Sequence, residues 1–157
     1  PPPPPTPPRS THRRQRQMCI RDRAEIPGTR VILRSSLYRS AAFGGIEQPD
    51  FINAVAALLT TLTPADFLAA LHAIEKRQGR VRDGARWGPR VLDLDLLVYA
   101  GEVIDQPGLT VPHPGIMERN FVLLPLGEIA PDLVIPGLGR VADLPVNTDE
   151  PSISRIV

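Results

Sequence analysis

Cysteine, aromatic side chains and long apolar runs are all scarce in this 157-residue sequence. Its single cysteine, Cys19, can form neither an internal disulfide nor a thiolate metal cluster, which accords with a reducing compartment. The longest apolar runs, such as AVAALL, fall well short of the roughly 18 to 20 residues of a membrane-spanning helix. The pair Arg13-Arg14 is not followed by the apolar stretch of about 7 to 15 residues that an export signal needs. The expectation is a soluble, cytoplasmic protein with no membrane partner. No internal repeat is visible, and the length fits one domain with or without a tail.

The formal net charge of +1 joins two unlike parts. Residues 1–23 carry six arginines against one acid, Asp22, and hold seven of the 19 prolines; the remainder is mildly acidic. PPPPPTPP favours polyproline II, and the basic stretch after it has no apolar period, so neither can bury a core. Residues 1–29 are therefore expected to be an atypical Pro/Arg-rich leader, disordered or non-native, and residues 30–157 the folded domain. An arginine arm for RNA is the functional alternative. Nothing aromatic interleaves those arginines, so a nucleic-acid partner is not expected.

Alternation from Arg30 through Val31 and Leu33 to Ser36–Tyr38 predicts a strand, and a second is predicted over Phe51–Leu62. Thr63-Pro64-Ala65-Asp66 places a hydroxyl at the N-cap, proline at the first helical position and an acid at the third. With Phe67, Leu68, Leu71 and Ile74 as an apolar stripe and Gly79 as a stop, this predicts a helix over about 64–78. In VLDLDLLVY, period-2 alternation puts Leu92, Leu94, Leu96 and Val98 on one face of a predicted strand and Asp93 and Asp95 on the other. Pro107–Pro114 reads as a loop, Ile116–Ile129 as short helical turns and Leu133–Ile135 as a short edge strand. The order ββαβ argues for an antiparallel α+β sandwich.

Asp93 and Asp95 are the most informative pair. Aspartate is depleted in strands, and two on one face lie only about 7 Å apart along the chain. A divalent cation would relieve their repulsion; Mg²⁺ takes one or two carboxylates and fills its other positions with phosphate oxygens and water. Salt bridges to Arg86 or Arg90 are the other reading. Just upstream, Arg80, Arg82, Arg86 and Arg90 are interleaved with Gly79, Gly84, Gly88 and Trp87. Guanidinium forks grip phosphate oxygens bidentately, so arginines beside a metal pair suit a polyphosphate. No G-x-x-x-x-G-K-[ST] loop is present. His113, in TVPHPG, is a candidate base, phosphate donor or metal ligand, or a packed loop residue. Phe51, Trp87 and Phe121 suggest a flat ring as a second ligand, with core packing as the alternative.

At RWGPRVLDLDLLVY and LTVPHPGIMERNFVLLPLGEIAPDLVIP the sequence closely resembles the 6-hydroxymethyl-7,8-dihydropterin pyrophosphokinases of folate biosynthesis; YRSAAFG, QPDFINAV and IEKRQGRVR extend the match over about Leu37–Pro136. The resemblance implies a ferredoxin-like α+β fold with a mainly antiparallel sheet. It implies transfer of pyrophosphate from ATP, as co-substrate, to the pterin hydroxymethyl group, with release of AMP. By similarity, Asp93 and Asp95 hold two Mg²⁺ ions, Arg80, Arg82 and Arg90 clamp the phosphates, and Arg80, Arg90 and Asp95 are the catalytic set. His113 and Arg119 add to the nucleotide site, with Glu75, Arg86, Trp87 and Thr110 also on the ATP side. The pterin lies between Phe51 and Phe121, its edge read by Asn53, Trp87, Asp93 and the backbone of the stretch that holds Ser40, Ala41 and Phe43.

Family members begin with a strand and a Gly-Ser-Asn loop leading into a helix, whereas here the Pro/Arg-rich leader occupies that region, so the first strand and helix are expected to be missing or replaced. Phe51, His72, Gly108 and Pro114 also depart from the familiar residues. The partners implied are ATP and 6-hydroxymethyl-7,8-dihydropterin, with the protein a monomer. An inactive ligand-binding relic and the basic-arm RNA module are the alternatives.

Overall fold

A computed structural model of the chain describes residues 26–41, 50–77, 93–149 and 151–156. The leader up to residue 25, and Phe43, Gly79, Arg80, Arg82, Arg86, Trp87 and Arg90, lie outside the described residues. The chain divides into two compact units, one made of Leu59–Asp95 with the chain up to Arg30, the other of Val31–Leu58 with Leu96–Val157.

The first unit is built on helix α1 (Pro64–Arg77). Its start is as the sequence predicts: Asp66 N–H donates to Thr63 Oγ1 at 3.2 Å and Phe67 N–H to the Thr63 carbonyl at 2.8 Å. Phe67, Leu71 and Ile74 are buried along one stripe, as is Ile26, and Lys76 and Arg77 complement the dipole at the C-terminal end. Before the helix, Thr61 N–H donates to the Gly28 carbonyl at 3.0 Å. Gly28 has a positive φ of +69°, and a Cβ there would run into Thr61 Oγ1, so this close approach requires glycine.

The second unit is the larger core. Strand β1 (Thr29–Arg34), which belongs to this unit from Val31 on, pairs with β4 (Ala56–Thr60), which belongs to it up to Leu58, and β2 (Tyr38–Ser40) lies between β3 (Phe51–Asn53) and β9 (Ile153–Arg155), antiparallel to both. Two antiparallel hairpins follow, β5 (Ile104–Gln106) with β6 (Leu109–Val111) and β7 (Val134–Ile135) with β8 (Gly139–Arg140). Helix α2 (Asn120–Ile129) packs on β2 and β3. Its Val122, Leu123 and Leu126 close a core with Val55, Ile116, Ile135 and Val141. The fold class is thus α+β with antiparallel pairings, as expected.

Several boundaries differ from the sequence reading. The two long strands each break, at Ser35–Leu37 and at Ala54–Val55. The breaks face each other: Ser35 N–H donates to the Val55 carbonyl at 2.8 Å, and Val55 N–H donates to Ser35 Oγ at 2.9 Å. A side-chain acceptor replaces a ladder carbonyl there, which interrupts the ladder in both chains. The strand expected over Val91–Tyr99 is not a laddered strand in its described part, residues 93–99. Alternation records only which side chains are buried; a strand also needs a backbone partner. Pro107-Gly108 turns a hairpin instead of continuing a loop, with Gly108 at φ +81°. Residues 120–129 form one continuous helix despite Pro125, because the apolar face of α2 is held by the core.

Candidate active site

Asp93 and Asp95 are both exposed, while Leu94 between them is 3% exposed. The alternation read from the sequence is therefore kept over Asp93–Asp95, without a ladder, and directs both carboxylates away from the side that buries Leu94; past Asp95 it is lost, because the neighbours Leu97 and Val98 both pack against the core. The backbone at Leu94 is held from α1: its N–H donates to Glu75 Oε1 at 3.0 Å, and Glu75 is itself buried. A carboxylate anchored in the core thus supports the residue between two carboxylates at the surface. Two such exposed carboxylates, with substrate phosphates and water supplying the remaining positions, fit the coordination habits of Mg²⁺.

The second unit assembles the residues assigned to the flat ring. Antiparallel pairing sets Ser40 opposite Phe51 and Tyr38 opposite Asn53. Asn53 Nδ2 donates to Ser40 Oγ at 3.0 Å, and Ser40 is buried, so the two polar residues expected to read a pterin edge are locked to each other. Phe51 keeps an exposed ring. Phe121 enters from the first turn of α2, half-buried against the core. Because α2 packs on β2 and β3, the two phenylalanines belong to adjacent elements.

His113 and Arg119 meet over Gly115. Gly115 N–H donates to His113 Nδ1 at 3.0 Å, so a neutral ring carries its proton on Nε2. A Cβ on Gly115 would lie 2.9 Å from Arg119 Nε and 3.3 Å from His113 Cε1. The Arg119 guanidinium also lies 5.9 Å from the centroid of the Phe121 ring, within cation–π range. One turn thus gathers two groups expected at the nucleotide and one expected at the pterin. Thr110, on β6, is exposed two residues before the His113 loop.

The family profile for 7,8-dihydro-6-hydroxymethylpterin-pyrophosphokinase matches residues 10–131, which include all of these groups. The chain belongs to this pyrophosphokinase family. Among similar proteins, one from Pseudomonas aeruginosa is 50% identical over 124 residues, 79% of this chain and 76% of the relative. Another from Haemophilus influenzae is 45% identical over 121 residues, 77% and 75% of the two chains. A third from Methylorubrum extorquens is 45% identical over 133 residues, 85% and 83%. Each bears the name 2-amino-4-hydroxy-6-hydroxymethyldihydropteridine pyrophosphokinase. These names favour the pyrophosphokinase reading over the RNA-binding module.

Three structurally important residues of this family member escape the sequence reading. Gly115 has just been described. Asn120 is buried, and its Nδ2 donates to the carbonyls of Asn147 and Pro151, both at 2.7 Å. The only local signal is a polar amide opening the otherwise apolar run NFVLLPL. Glu128 accepts Ser36 N–H at 3.0 Å, Ser36 Oγ–H at 2.7 Å and the Tyr38 hydroxyl at 2.7 Å. Partial burial pushes the Glu128 carboxyl upward, but the Tyr38 and Ser36 donors, helped by Arg155, outweigh it and leave it below its ordinary value. Burial first, and then the Glu128 carboxylate, push Tyr38 up to about 12.

Proposed function

We propose that this chain catalyses transfer of a pyrophosphoryl group from ATP to the hydroxymethyl oxygen of 6-hydroxymethyl-7,8-dihydropterin, releasing AMP, in folate biosynthesis. The observation that carries the reading is the family match across residues 10–131, which spans the exposed Asp93/Asp95 pair anchored through Glu75. In the reaction the hydroxymethyl oxygen bonds to the β-phosphorus, the bond from that phosphorus to the α–β bridging oxygen breaks, and AMP leaves with that oxygen. The hydroxyl proton passes to water.

Asp93 and Asp95 would hold Mg²⁺, two ions by resemblance; bound metal neutralises charge on the phosphates. Arg80, Arg82 and Arg90 clamp the phosphates, and His113 and Arg119 extend the cationic surface. Glu75, Arg86, Trp87 and Thr110 belong to the ATP side. Phe51 and Phe121 hold the pterin by its faces while Ser40, Ala41, Phe43, Asn53, Trp87 and Asp93 read its edge. Phosphoryl transfer asks little covalent chemistry of a protein, so alignment and charge neutralisation supply most of the catalysis. The protein works as a cytoplasmic monomer with no nucleic-acid partner. No described helix is long and apolar enough to cross a membrane.

Incubation with ATP, Mg²⁺ and 6-hydroxymethyl-7,8-dihydropterin tests the proposal. Equimolar AMP and pyrophosphorylated pterin are expected. Formation of ADP, or no turnover, would overturn it.

A further inference from the structure

Within the second unit, the C-terminal stretch that carries Asn147, Pro151 and β9 touches two places that are remote from each other in sequence. At the first, β9 lies along β2, with Ser40 opposite Ile153, and the pairing is extended by Ala41 N–H to the Ser152 carbonyl at 3.1 Å and Ile156 N–H to the Leu37 carbonyl at 2.9 Å. The opposite edge of β2 pairs with β3, which carries Phe51 and Asn53. At the second, both amide hydrogens of Asn120 are spent on this same stretch, on the carbonyls of Asn147 and Pro151. Asn120 is 5% exposed, and its chain neighbours are Arg119 and Phe121.

Asp149 and Ser152 form a β-bridge, and Asp149 N–H donates to Asn147 Oδ1 at 2.9 Å. The same short stretch is thus bonded both to Asn120 and to β2. Asn120 Oδ1 is buried without a hydrogen-bond partner among the described residues, so the amide is present for its two donors. A carboxylate at that position would face two carbonyl oxygens, and alanine would leave both without this donor.

We propose that Asn120 is a positioning residue for the pterin, coupling the wall that carries Phe121 to the wall that carries Ser40, Ala41, Phe51 and Asn53 through the C-terminal stretch. The inference rests on the pterin site proposed above. Asn120 itself touches no substrate; it acts through Phe121 and through β9.

The test measures binding of 6-hydroxymethylpterin, in the presence of Mg²⁺ and a non-hydrolysable ATP analogue, to the full-length protein and two variants, well below their melting temperatures. Asn120→Ala is expected to raise the pterin Kd roughly tenfold, the factor that corresponds to loss of a buried hydrogen-bonded contact. Hydrogen exchange should quicken in both 151–156 and 38–41, a coupling that a purely local packing role would not produce. Ser154→Pro reaches the same stretch from the other end. The pairings 41 with 152 and 37 with 156 put the Ser154 N–H on the β2 side of the ladder, so proline removes a ladder bond there. It should reproduce the loss of pterin affinity without altering Asn120, and it decides the matter if Asn120→Ala does not fold. Normal binding by the wild type with a Kd within about twofold of it in both variants would overturn this inference alone. A wild type that binds no pterin would overturn the pterin site and this inference with it.

Discussion

Glu75 on α1 accepts the backbone N–H of Leu94 at 3.0 Å, so a buried carboxylate holds the one residue that separates Asp93 from Asp95. Glutamine at this position keeps an acceptor oxygen, whereas alanine leaves a buried N–H without it, a loss of about 1–3 kcal/mol. Glu75→Ala should therefore lower the stability measured by chemical denaturation by about that amount and raise the Mg²⁺ concentration needed for half-maximal AMP formation. Glu75→Gln should do much less of both. If the alanine variant matched the wild type in its Mg²⁺ requirement, Glu75 would have no positioning role toward the aspartates.

Gly115→Ala separates nucleotide contacts from folding. The new Cβ would press on Arg119 Nε, near the far end of a flexible side chain, and on the edge of His113. Such a clash is relieved by swinging the guanidinium away. The stability cost should stay within about 1 kcal/mol, while the KM for ATP rises several-fold and kcat changes less. An unchanged KM for ATP would remove Arg119 and His113 from the nucleotide site.

Helix α1 was legible because its signals are local. Thr63, Pro64 and Asp66 fall within one turn, and the Phe67–Leu71–Ile74 stripe needs only the helical period to be seen. The aspartate pair was legible in the same way, since alternation with Leu94 is a local pattern. What the sequence concealed is contact at long range. The breaks at Ser35 and Val55 exist because those residues face each other across β1 and β4, and the short polar strand Ile153–Arg155 exists because β2 offers it an edge. Asn120, Gly115 and Glu128 carry no periodic signal at all. Their roles are set by partners that the fold brings to them.

The Glu128 cluster predicts a stability plateau with two shoulders. The Glu128 carboxyl is lowered from 4.5 in the folded protein, so its contribution is complete above the unfolded value and is lost as pH falls through the lower folded one. Tyr38 is raised from 10.0 to about 12, so its contribution is complete below pH 10 and is lost as pH rises toward 12. Thermal melts across pH should show Glu128→Gln flattening the acid shoulder below about pH 4.5 and Tyr38→Phe flattening the alkaline one. An acid shoulder of undiminished size in Glu128→Gln would assign it to other carboxylates.

The aspartate pair gives the sharpest separation of chemistry from architecture. Asp95 is exposed, and an amide of the same shape fills the same space, so Asp95→Asn should stay folded, with a stability loss of at most about 1 kcal/mol, the scale of an exposed ion pair. The amide cannot supply the negative oxygen that a divalent cation requires, and AMP formation should fall by on the order of a thousandfold, the scale on which phosphoryl transfer depends on charge neutralisation. Leu94→Ala is the reciprocal experiment. Leu94 is 3% exposed, and removing its side chain should cost about 2–5 kcal/mol through the cavity it leaves. Both carboxylates remain in that variant, but the backbone carrying them is less firmly held, so the Mg²⁺ requirement should rise while saturating Mg²⁺ restores much of the rate. Asp95→Asn should not be rescued by any Mg²⁺ concentration. A shared response, with both variants rescued or neither, would mean that the pair does not bind the metal and that its alternation with Leu94 serves the fold alone.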